Sequence, residues 1–288
     1  MTQISVHLFE FTSTSGRNLN EMIHRIRRIP KDQRWRNVGD YEVALLEIAR
    51  PTNHSLRLFD FVKRRTVGPG KLLQSGEIEG FHFGDGENFG EETAALWDQD
   101  RGWLLVQFNQ HGVRSGSIAS YLNVFENDPA SDWLLYAKLD PRAEAELRKR
   151  PFVRTAKLKF KATDGLNAAM RESGAALGDS LGKLGPDAGS ANVEIKLTMG
   201  KSPGFLNAGV SAIFQNLRQR FDKDDGLLSM EVTAREEVDG ADKIIDLMRH
   251  RIKCGYSSRE LEIQDGRYTL RSRWNLLERI HSGWVQEY

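Results

Sequence analysis

The sequence has almost no cysteine. Cys254 is the one residue of its kind, which excludes an intrachain disulfide and fits a reducing, cytoplasmic setting. It also lacks any apolar run near the roughly 18 residues a membrane helix needs; Trp103–Phe108 has the length of a core strand. The start, MTQISVHLFEF, alternates like a strand and has no charged-then-apolar leader pattern. The seven histidines are scattered without HExxH or Cys/His spacing, so neither a metal site nor any other cofactor site is indicated. Net charge is also small, at +1.

That near-neutral total hides opposed blocks. Arg17–Arg36 holds seven basic residues against Glu21 and Asp32, while Glu77–Asp100 holds eight acidic residues and no lysine or arginine. Asp222–Asp242 is acidic again. Segregated charge polarises a surface and lets one face attract polyanions.

The densest basic segment is RKRPFVRTAKLKFK, with Arg148, Lys149, Arg150, Arg154, Lys157, Lys159 and Lys161. From Val153 it alternates, so Ala156, Leu158 and Phe160 point one way on a strand and the three lysines the other. Lysines about 7 Å apart along one face suit a phosphate backbone. The same pattern also protects sheet edges from aggregation. Lys196 and Lys201, on and just after a second strand, extend the patch if the two strands are neighbours. No aromatic residue shares the polar face, so base stacking is not indicated. The natural inference is contact with double-stranded DNA without strong sequence preference.

The pattern of strands and helices predicts an α+β fold of two lobes with mixed, mainly antiparallel sheets. Pro151 marks the boundary between residues 1–150 and 151–288. Asn18 caps a helix with the inner stripe Leu19, Met22, Ile23 and Ile26, and Ser115 or Ser117 caps another. Strands are expected at 41–49, 56–65, 93–97, 103–109, 153–162, 191–199 and 227–236, and helices at 165–184, 205–220, 240–252 and 274–281. Asp265-Gly266 is a hairpin turn.

Two catalytic patterns can be traced. Asp187, Glu194 and Lys196 spell a loose PD…ExK, the arrangement of metal-dependent nucleases. Asp187 lies only seven residues before Glu194, which is short for such sites, and Glu194 and Lys196 sit on the polar face of an alternating strand. Gly200-Lys201-Ser202 lacks the earlier glycine of a phosphate loop, since Ile195 stands there. A further alternative is a protein-interaction adaptor presenting the acidic block 77–100, which could also compete with DNA for the protein's own basic stretch.

One segment carries a resemblance. EETAALWDQDRGWLLVQFNQHGVRSGSIASYL joins two strands to Gln107, Asn109, Gly112, Val113, Ser117, Tyr121 and Leu122, and is similar to a family of uncharacterised bacterial proteins. The layout of the whole chain resembles the RexA-like phage-exclusion proteins and the KwaB-like components of antiphage defence. The resemblance implies a homodimeric DNA-binding protein acting in phage exclusion or abortive infection, without an established catalytic site and with a possible defence partner. Gln107, Asn109 and Tyr121 also suit a plainer role, satisfying buried backbone groups around a tight turn.

Overall fold

In a computed structural model the protein is an α+β fold, described over residues 3–109, 111–125, 133–161, 192–200, 204–206 and 227–288. A large sheet forms from β1 (Gln3–Ser13), β2 (Arg36–Val38), β3 (Tyr41–Ala49), β4 (Leu56–Arg65), β7 (Phe89–Asp98), β8 (Trp103–Phe108), β9 (Trp133–Ala137) and β14 (Lys253–Ser257). Between β4 and β7 lies a small hairpin of β5 (Lys71–Leu72) and β6 (Ile78–Glu79). The order is β14-β1-β8-β7-β4-β3-β2, with β9 continuing the β14 edge along β1.

Both faces of this sheet are covered. α1 (Leu19–Arg28) and α2 (Ser115–Val124) share one core with Phe59, Phe61, Trp97, Leu104 and Val106. α4 (Leu270–Glu287) packs on the other face against Leu58, Leu96, Trp103 and Leu105. Burial on both sides explains why β8 reads as a continuous apolar run and not as an alternation. Asn18 caps α1 as expected, its side chain accepting from Asn20 N. α2 differs: Arg114 is its cap residue, and no side chain caps it.

A second sheet, ordered β11-β10-β12-β13, comprises β10 (Phe152–Lys161), β11 (Asn192–Thr198), β12 (Leu227–Arg235) and β13 (Lys243–Asp246). α3 (Pro141–Arg148), capped by Asp140, leads into it and adds Leu147 to its core. Every described strand pairing in both sheets is antiparallel.

The residues break differently from the expected division. The second sheet does begin just after Pro151, but the chain then returns. β14 pairs with β1, from Gln3 opposite Ser257 to His7 opposite Lys253, and α4 closes the first core. The range 151–288 therefore spans one small sheet plus the final strand and helix of the large one.

The expected helix 240–252 is absent. β13 hydrogen-bonds to the edge of β12, and Leu247, Met248 and Ile252 are buried at a turn that hands the chain back to β1. The helical spacing of apolar residues there serves two different cores. The closing helix is longer than expected, because the Thr269 side chain accepts from Ser272 N and starts it at Leu270. Asp265 and Gly266, both at positive φ, make the expected hairpin turn between β15 (Ile263–Gln264) and β16 (Arg267–Tyr268). The expected helix 165–184 and nearly all of 205–220 lie outside the described residues.

Tyr121 ties three elements together. Its hydroxyl accepts from Leu45 N at 3.1 Å and donates to Arg34 O at 3.0 Å, and the residue is fully buried. Tyr121→Phe strands a buried amide, so it is expected to cost about 1–3 kcal/mol in urea unfolding.

Candidate functional site: a lysine face on the small sheet

The register of the small sheet decides where the basic residues go. Leu158 lies between Ile195 and Met230, facing the core with Ala156 and Phe160. The opposite face therefore carries Lys157 between Lys196 and Glu231, and Lys159 between Glu194 and Ser229. β10 and β11 are direct antiparallel neighbours, so Lys196 does join the ladder. Lys161 ends β10 opposite Asn192.

Lys159 and Lys196 are exposed and form no ion pair with any described carboxylate. Lys157 lies 3.5 Å from Glu194, in a pair exposed enough to contribute at most about 1 kcal/mol. Lys157 and Lys196 are cross-strand partners of like charge. Such opposition costs stability in a sheet unless an anion lies over it. The face is not uniformly basic. Glu194 and Glu231 share it, as does Asp246, which pairs with Glu231 and uses Oδ1 to accept from Met248 N and Arg249 N. Thr155 and Thr198, 3.1 Å apart through their hydroxyls, continue the polar surface.

Other members of the basic segment are committed elsewhere. Arg154 donates to Gly200 O at 2.7 Å and Gly204 O at 2.9 Å, pinning the end of β11. The Arg150 side chain is 14% exposed and sits between Glu146 and Glu236. Both are structural in this fold. Arg148 and Lys149 are exposed at the end of α3, Arg148 lying 3.6 Å from Glu144. The sequence segment is thus split into an α3 end, two structural arginines and a sheet face. Lys201 and Asp187 fall outside the described residues.

That leaves Glu194 and Lys196 of the nuclease pattern. Their side chains share the open face, and Glu194 is drawn toward Lys157. Among the described residues no three His, Cys, Asp or Glu side chains gather as metal donors.

The carboxylates Glu231 and Asp246 were not foreseen beside the lysines. The pairing of Lys157 with Glu231 joins residues far apart in the chain, and nothing local signals it. Part of the acidic block is engaged within the fold: Glu91 pairs with Arg65 on β4, and Glu92 with Arg267 on β16 and Arg273 on α4.

The resemblance-bearing segment has a structural use. Asn109 Nδ2 donates to Glu92 O at 2.9 Å, and its Oδ1 accepts from His111 N. Thr93 Oγ1 accepts from Val113 N at 2.8 Å. A Cβ on Gly112 would lie 2.3 Å from that hydroxyl, so only glycine fits the turn. Gln107 is buried, but its Oε1 has no hydrogen-bond partner.

Fold and face together define a two-sheet α+β protein whose smaller sheet turns a lysine-bearing surface outward. Among the described residues no helix is long and apolar enough to cross a membrane. The chain belongs to DUF6731, a family of unknown function, which it matches over residues 12–271. No curated protein matches it.

Proposed function

We propose that the protein binds double-stranded DNA through the outer face of the small sheet, by phosphate contact and without reading sequence. The observation that supports this most is the direct opposition of Lys157 and Lys196, with Lys159 one step along the strand. Two like charges held across a ladder are offset when a phosphate bridges them. The exposed Arg148 and Lys149 extend the basic surface beyond that core of three. The interleaved Glu194 and Glu231 keep the face from binding every anion strongly, and fit a weak, sequence-tolerant grip. A homodimer acting in antiphage defence or phage exclusion is the setting the resemblance implies, and it belongs to the same proposal.

The test is a salt series with a short duplex of arbitrary sequence. Three phosphate contacts give a slope of about −2.7 in log affinity against log salt, or about fortyfold between ~50 and ~200 mM. Lys159→Ala should flatten that slope by about one contact for all sequences alike. A slope near zero, or a slope unchanged in the variant, removes the sheet face as the footprint.

A further inference from the structure

A second basic site lies on the large sheet, away from the lysine face. Between α1 and the turn joining β3 to β4 is a cavity of about 270 Å³. His24 and Arg27 from α1 line it, together with Arg50 and Arg57 from either side of the turn. Ile23 and Ile48 add apolar wall.

The charges here are not balanced. None of the three arginines forms an ion pair with a described carboxylate. Arg50 and Arg57 converge on one carbonyl, His54 O, at 3.4 and 2.7 Å. Burial and the neighbouring Arg50 pull the Arg57 pKa below its ordinary value. Asn20 completes the wall. Its Nδ2 donates to Gln99 Oε1 at 2.6 Å, and its buried Oδ1 has no hydrogen-bond partner. Elsewhere on this sheet arginines are matched by acids, as in Arg64 with Glu42 and Arg65 with Glu91. With Arg27 and Arg50 exposed and Arg57 partly buried, three guanidiniums without a carboxylate partner make the rim of the cavity positive, which favours an anion there.

We infer that this cavity binds a small phosphate monoester, with Arg27, Arg50 and Arg57 holding the phosphate and Ile23 and Ile48 contacting its organic part. Planar guanidiniums suit this role because each can offer two parallel donors to phosphate oxygens. Arg57 is already oriented by its bonds to His54 O and Leu56 O at 2.7 and 2.8 Å, so little ordering is lost on binding. The cavity is too small for a duplex, which separates this site from DNA binding.

The probes are inorganic phosphate and phenyl phosphate, titrated into the full chain at constant ionic strength held with chloride. Both should raise the thermal midpoint above the chloride control, and phenyl phosphate should bind more tightly because its ring meets the apolar wall. Arg27→Gln and Arg50→Gln should each weaken binding of both probes by about tenfold. Neither arginine holds a strong backbone contact, so the unliganded variants should unfold at or above the wild-type midpoint. Lys159→Gln should leave phosphate binding unchanged, and Arg50→Gln should leave duplex binding unchanged. The idea is overturned if phosphate gives no more stabilisation than chloride. It is equally overturned if both arginine variants retain the wild-type gain, or if Arg50→Gln weakens duplex and phosphate alike.

Discussion

Arg273→Leu is expected to lower the free energy of unfolding by about 3–5 kcal/mol at about pH 8, and by clearly less at about pH 5. Arg273 is 3% exposed in the first turn of α4, yet its guanidinium meets Asp60 at 2.7 and 3.3 Å, with Glu92 at 3.4 Å. Burial raises the Asp60 pKa and Arg273 pulls it part of the way back by charge and hydrogen bonding, which leaves it raised from 3.8 to about 6. A carboxyl with a raised folded-state pKa favours the folded state most when neutral. Its contribution is fully present below 3.8 and is lost as pH rises through about 6. Removing Arg273 raises that pKa further, so the variant suffers most where Asp60 must ionise alone. Urea unfolding of both proteins at the two pH values checks this. Equal losses at both would show that lost packing of the side chain, and not its charge, explains the effect.

The same helix carries a second polar anchor. His281 Nε2 lies 2.7 Å from Asp98 Oδ2, and both residues are buried. Arg273 and His281 replace apolar residues in the stripe Arg273, Leu276, Leu277, Ile280, His281 and Trp284. Each meets an acid on the sheet below, one on β4 and one on β7. These two pairs fix the rotation and register of α4, which apolar contact alone specifies loosely.

The second large effect concerns the lysine face. Replacing Lys157, Lys159 and Lys196 together by Gln should weaken duplex binding by about a thousandfold at ~50 mM salt, and the loss should shrink as salt rises. Neutral glutamine is the better substitution here. Glutamate at the same positions would stand beside Glu194 and Glu231 and add a like-charge cost to the sheet itself. Circular dichroism should show the glutamine variant folded like the wild type. Undiminished affinity in a folded variant would sink the proposal.

Much of the local architecture could be read from the chain. The alternation in Ala156-Lys157-Leu158-Lys159-Phe160 put the lysines on one face because side-chain direction has period two in any strand. Asn18 announced its helix because a cap acts on the next two or three residues. The gap in acids around Arg50 and Arg57, between Glu47 and Asp60, was also legible, though only the fold gives it meaning.

Tertiary structure alone decided the partners. Whether Arg150 and Arg154 were free for DNA depended on Glu146, Glu236, Gly200 and Gly204, the last three of them distant along the chain. Segment 240–252 had helical spacing, yet Lys243–Asp246 and, just beyond it, Lys253–Ser257 became strands because two separate sheet edges offered hydrogen bonds to their backbone. Arg27, Arg50 and Arg57 around the cavity come from α1 and the two sides of the β3–β4 turn, which meet only when the helix lies on the sheet. Local pattern fixes which way a side chain points from its own backbone. What it points at is set by the register and packing of distant segments, which the order of residues does not display.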